Sequence, residues 1–116
     1  MPDGWTPERG QIVWVNFNPQ KGHEQAGRRP ALVVSPAAYN AISNCVLVCP
    51  ITSNGAPWPW KVMMSELKGD GAIGGAILVD QVKSIDAKAR QIENSGQWVD
   101  SARMDEVLAR LATLTG

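Results

Sequence analysis

The hydrophobic residues of this chain come in short runs broken by turn formers, and only the last run changes period. QIVWVNF (11–17) is rich in β-branched and aromatic side chains and is bounded by Gly10 and Pro19. ALVVS (31–35), CVLVCPI (45–51) and WKVMM (60–64) have the same character. AILVDQVKSI (76–85) is long enough for one bent strand or two, and KARQIE (88–93) is a weaker sixth. Ser35-Pro36 predicts a short helix through Tyr39, with the serine as cap and the proline in the first helical position. Met104, Val107, Leu108, Leu111 and Leu114 then fall at helical spacing behind an Asp100-Ser101 start signal. Short strands followed by one amphipathic helix predict a mainly β fold, a small and strongly bent antiparallel sheet or partial barrel.

A chain of 116 residues, 44% hydrophobic, is expected to be one domain over 1–116, with a core that needs neither metal nor disulfide. No apolar run approaches the roughly 20 residues of a membrane span. The start, MPDGWTPERG, lacks the basic flank and apolar stretch of a signal peptide, so a cytoplasmic protein without membrane contact is expected. Cys45 and Cys49 lie four residues apart in one strand run, roughly 13 Å by strand rise. That is too far for a disulfide, and both are expected to be buried, reduced thiols. The only histidine is distant in sequence and no CxxC spacing occurs, so no metal site and no cofactor are expected.

Eleven acidic and eleven basic residues balance overall, but not locally. Lys21, Arg28 and Arg29 face only Glu24 in the connection of about residues 18–29 between the first two strands. Most hairpin connections are two to five residues, so one this long is usually functional or mobile. Arg29 ends the connection, where Pro30 restricts it to extended geometry. Its base is thereby anchored to a strand while its guanidinium projects over whatever anion the loop meets.

From ERGQIVWVNFNP through GHEQAGRRPALVVSPAAYN and CPITS to LVDQVKSIDAKAR, the chain resembles the MazF/PemK (Kid) family of toxin endoribonucleases from type II toxin–antitoxin pairs. The most specific stretch is the loop with its EQAGRRP core. The resemblance implies an SH3-like, CcdB-like antiparallel β-barrel with a short helix and a C-terminal helix. It further implies a homodimer that cuts single-stranded RNA at short sequences without metal, and an antitoxin of the MazE type with an acidic C-terminal tail.

RNA cleavage through the 2′-hydroxyl needs a proton acceptor, a donor to the departing 5′-oxygen, and positive charge on the phosphorane. By the resemblance, Arg29 is the catalytic arginine, Thr52 hydrogen-bonds the scissile phosphate, and Glu24 assists proton transfer. Arg28 and Lys21 are expected to add phosphate contacts. His23 has a pKa suited to acid–base work near neutrality but is equally readable as a solvated loop residue. In the Kid branch catalysis is assigned to an aspartate, an arginine two residues before it, and the loop histidine. Asp80 and His23 match, but Leu78 replaces the arginine, which favours the MazF-type set. Asn16 stands where close relatives often carry aspartate, which bears on base selectivity.

Splayed bases of single-stranded RNA stack on aromatic faces, and Phe17, just before the loop, is the best candidate platform. Trp58 and Trp60 alternate in PWPW and fit core, dimer interface or base stacking equally; Trp14 and Trp98 are assigned to packing. Gln81 and Lys83 would share a strand face with Val79 and reach the RNA. Two other readings remain: a gyrase-poisoning toxin of the CcdB type, and a non-catalytic SH3-like binding module. The first works through a tryptophan-containing C-terminal end, whereas this chain closes LATLTG; the second does not need two adjacent arginines.

Overall fold

The computed structural model describes residues 4–17, 28–53, 56–64 and 73–116. Strands β1 (Gln11–Asn16) and β2 (Arg28–Val33) lead to helix α1 (Ala37–Ser43) and the long strand β3 (Cys45–Thr52). Strands β4 (Lys61–Met63) and β5 (Ala76–Leu78), a single 3-10 turn (Val79–Gln81), β6 (Lys83–Asp86), β7 (Glu93–Trp98) and helix α2 (Ser101–Thr115) follow. All recorded pairings are antiparallel, in the order β4-β5-β3-β2-β1-β7, with β6 added to β3. No ladder joins β4 to β7 among the described residues, so the fold is the expected mainly β architecture with a curled sheet rather than a closed barrel.

The central strands are buried on both faces. Ile12, Leu32, Cys49 and Ile51 pack on one side with Val62, Ile77, Met104 and Val107. Val13, Val15, Ala31, Val33, Val46 and Val48 pack on the other with Ile85, Ala87 and Ile92. This is why ALVV and CVLVC read as unbroken apolar runs instead of alternating ones. Each fully buried aliphatic side chain contributes about 1.5–3 kcal/mol of transfer free energy.

α2 closes the first of these cores. The Asp100 carboxylate accepts the Arg103 N–H at 2.7 Å, the expected N-cap. Met104 and Val107 are buried and Leu108 and Leu111 half-buried, but Leu114 is exposed. No helix among the described residues is long and apolar enough to cross a membrane.

Four expectations are corrected. Ser35 does not cap α1: Pro36 occupies that place, and the buried Ser35 hydroxyl donates to Asn40 Oδ1 (2.5 Å) while accepting the Leu47 N–H (3.0 Å). The stretch 88–93 is mostly not a strand, because the Asp86 carboxylate accepts the N–H groups of Lys88 and Ala89 at 2.9 Å and folds Ala87–Gln91 into a turn. The run 76–85 divides into β5 and β6 at Val79–Gln81, so Gln81 and Lys83 share no strand face with Val79. Both cysteines are free; Cys49 is buried, but Cys45 only half-buried.

Candidate active site

β2 begins at Arg28, so the two arginines are strand residues and not the end of a loop. The β1–β2 register sets Asn16 opposite Arg28 and Val15 opposite Arg29. Side chains alternate along a strand, and the arginines therefore leave opposite faces of the sheet.

Arg29, exposed, takes the face of Val15, Ala31 and Val33. In the β2–β3 ladder Ala31 meets Pro50, Leu32 meets Cys49 and Val33 meets Val48. The same register continued by two residues sets Arg29 across from Thr52, the last residue of β3. Residues opposite in an antiparallel register share a face, so by this continuation Arg29 and Thr52 are on the same face at the end of the sheet. Thr52 is fixed from its other side by Ala76 of β5. The preceding Gly75 has φ +115°, and any Cβ there would overlap the Thr52 carbonyl oxygen.

Phe17 is half-buried against the second core, and the exposed Lys83 places its Nζ 5.2 Å from the Phe17 ring centroid. The Phe17 carbonyl accepts from Arg90 Nη1 at 3.3 Å, and the Asn16 N–H donates to the Arg90 carbonyl at 2.9 Å. The 87–91 turn thus anchors the end of β1 from which the long connection departs. Arg28, on the opposite face, pairs through Nη2 with Glu93 Oε1, and its guanidinium lies 5.6 Å from the Trp14 ring centroid.

Gln81 sits exposed in the 3-10 turn. Asp80 accepts the Trp58 indole N–H at 3.1 Å, and Trp58 is 49% exposed, which removes it from the core. Trp60 is half-buried, and its carbonyl accepts the Val79 N–H. Trp14 packs on the first core as expected, whereas Trp98 is 48% exposed beside Gly10. Lys21, His23 and Glu24 lie outside the described residues.

The structure brings Lys83 to Phe17 and Arg28 to Glu93, while the β2–β3 register continued past Ala31–Pro50 aligns Arg29 with Thr52. The parts played by Arg90 and Glu93 are absent from the sequence reading. Their signal was Asp86, an aspartate poised to hydrogen-bond the backbone two and three residues on, which marks a turn where a strand was expected. Cys49 is no nucleophile: burial, and secondarily the charge of Asp80, push its thiol from 9.0 up to about 12. No group of three or more His, Cys, Asp or Glu side chains comes together as a metal site among the described residues.

Comparison with known proteins gives the family. Residues 8–115 match the family model described as PemK-like, MazF-like toxin of type II toxin-antitoxin system. The endoribonuclease toxin MazF of Escherichia coli K12 is 37% identical over 116 residues, covering 100% of both chains. The endoribonuclease PemK of Escherichia coli is 40% identical over 108 residues, 92% of this chain and 80% of the relative. The crystal structure of MazF from Deinococcus radiodurans superposes with a TM-score of 0.81 at 38% identity, over 97% of this chain and 98% of that one. MazF in a MazE–MazF complex from the same organism gives 0.79 at 33% identity, over 97% of each chain. With a match from residue 8 to residue 115 and relatives aligned end to end, the chain belongs to the PemK-like, MazF-like family of toxins from type II toxin–antitoxin systems.

Proposed function

We propose that this protein is an endoribonuclease toxin neutralised by an antitoxin partner, and that it cuts single-stranded RNA at short sequences by attack of the 2′-hydroxyl. The observation that carries the reading is the β2–β3 register, which, continued two residues beyond the Ala31–Pro50 pair, sets Arg29 across from Thr52. The endoribonuclease relatives and the MazE–MazF complexes support it.

In this mechanism Glu24 takes the proton of the 2′-hydroxyl as its oxygen bonds to phosphorus. Arg29 neutralises the charge gathering on the phosphorane and offers N–H donors to the departing 5′-oxygen, which takes a proton from solvent as the P–O5′ bond breaks, while Glu24 returns its proton to solvent. The Thr52 hydroxyl fixes the scissile phosphate. Phe17 stacks a base while Lys83, above its ring, meets the backbone. Gln81, Asn16, Arg28, Lys21 and His23 complete the substrate contacts. No water is activated, so the step needs no metal.

The partners are RNA, a second copy of the chain and a MazE-like antitoxin. An acidic, partly disordered antitoxin tail fits the basic rim around Arg29 and Lys83 and would block RNA there. A CcdB-type gyrase poison would leave the Arg29–Thr52 placement without purpose.

The test uses purified protein and a mixed-sequence single-stranded RNA in excess chelator. Cleavage should leave a 2′,3′-cyclic phosphate or its 3′-phosphate product, and a free 5′-hydroxyl on the other fragment. A deoxynucleotide on the 5′ side of the cut should abolish cleavage while binding persists. Cutting of that deoxy substrate, or a requirement for Mg²⁺, overturns the mechanism.

A further inference from the structure

At the end of the sheet where Arg28 emerges lies an open cavity of about 420 Å³, lined from both faces, that the cleavage step does not use. Its lining is Arg28, Ala87, Lys88, Gln91, Ile92 and Glu93. Its apolar lining, Ala87 and Ile92, is buried and belongs to the second core, on the face of Arg29. Arg28 and Glu93 form a paired wall, with side chains 42% and 63% exposed. The volume falls within the roughly 300–1,000 Å³ usual for small-molecule sites.

The cavity is built on a rigid frame. Besides its two bonds to Asp86, the turn is closed by the Ile92 N–H to the Ala87 carbonyl at 3.0 Å and the Gln91 N–H to the Lys88 carbonyl at 3.1 Å. The Arg90 carbonyl ties it to β1 through Asn16. Trp14 beneath the guanidinium sets the plane of Arg28. A ligand entering here meets groups already in position, which lowers the ordering cost of binding.

The chemistry of the wall selects the ligand. Glu93 engages one nitrogen of a guanidinium that carries five N–H donors, so the pair presents a donor fork beside a carboxylate. A phosphate suits Arg28 and Lys88 but would be repelled by Glu93 in the same wall. Among the nucleobases, guanine alone carries acceptors at O6 and N7 for an arginine together with adjacent N1–H and N2–H donors for a carboxylate. Adenine and cytosine each place an acceptor where the carboxylate needs a donor, and uracil has only one N–H. The guanine ring also has an apolar lining to lie against. Arg28 precedes Arg29 in β2 and leaves the opposite face, so a base held here lies across the end of that strand from the nucleotide being cut.

We infer that this cavity is a guanine-reading subsite, with Glu93 and Arg28 as its specificity-determining residues; the inference rests on the ribonuclease reading above and names part of its recognition sequence. Gln91 and Lys88 on the rim hold the sugar and the adjoining phosphate.

Two measurements test it. In the first, a randomised single-stranded RNA pool is cut and the fragment ends are sequenced. Guanine should be enriched at one fixed position relative to the cut. Replacing it by inosine, which lacks only the 2-amino group, should lower kcat/KM about tenfold, and by adenosine up to about a hundredfold, the span of one good bidentate base contact. Glu93→Gln should flatten the preference, so that sites with guanine are cut no faster than the others. In the second, guanosine and adenosine 5′-monophosphates are titrated onto the protein and followed by NMR. The guanine nucleotide should bind at least tenfold more tightly, and Glu93→Gln should erase the difference. Cleavage without guanine preference, or a preference that Glu93→Gln leaves intact, overturns the subsite and leaves the ribonuclease standing. Selective guanine binding without cleavage overturns the ribonuclease and leaves the subsite. Failure of both removes both.

Discussion

At the scale of single residues, the site depends on two side chains with different backbone support. Arg29 and Thr52 sit at the ends of their strands, Arg29 exposed and Thr52 half-buried. Arg29→Ala and Thr52→Ala should each lower cleavage by more than about a hundredfold, the cost of losing one preorganised donor to a developing oxyanion. Melting temperatures should move little, because neither change opens a cavity in the core. Full activity in either folded variant removes that residue from the mechanism. Cys49 makes a different, pH-dependent contribution. Its folded thiol holds its proton up to about 12, whereas in the unfolded chain it titrates near 9.0. Stability from this group is complete below about pH 9 and falls as pH climbs toward 12, because only the unfolded state releases the proton in that window. Cys49→Ala should therefore show a shallower alkaline loss of melting temperature than the parent. Equal slopes would mean that Cys49 is not shielded as the structure has it.

At the scale of elements, β5 exists to hold the end of β3. It is three residues long, and Gly75 at its start crosses the Thr52 carbonyl where no side chain fits. Gly75→Ala should cost roughly 1–3 kcal/mol of stability through its positive φ, measured by denaturant unfolding. It should also reduce cleavage below what that stability loss explains, since the peptide that carries Thr52 must shift. Retained activity at full stability would show that the approach is looser than drawn. The strands and α2 were legible in the sequence because β-branched runs and a 3.6-residue period leave plain marks, as in CVLVCPI and Met104 to Leu111. The 87–91 turn was not, since a single aspartate side chain created it against a pattern that resembled a strand. The cap of α1 was misplaced by one residue for a related reason: Asn40 and Leu47 claim the Ser35 hydroxyl, and neither is a sequence neighbour of it. Arg29 and Thr52 were found through the resemblance, and periodicity alone would not have joined them. The Arg28–Glu93 wall spans 65 residues of chain, and no local signal links its halves.

At the scale of the whole molecule, one protomer has a Cα radius of gyration of 13.6 Å. If the active form is the proposed symmetric dimer, small-angle scattering at micromolar concentration should give a clearly larger radius and twice the 12.5 kDa mass. A particle of single-chain mass would end the dimer proposal. The centre of the assembly is β3, which pairs with β2 on one side and with both β5 and β6 on the other. β2 lies N-terminal to it, but the other two partners come from residues 76–86. A ribosome making this chain completes Arg29 and Thr52 well before it completes the strands that align Thr52. Until those strands emerge, β3 keeps one edge open and Thr52 lacks its Ala76 partner. The end of β3 that carries Thr52 is thus completed by pairing with residues made late in synthesis.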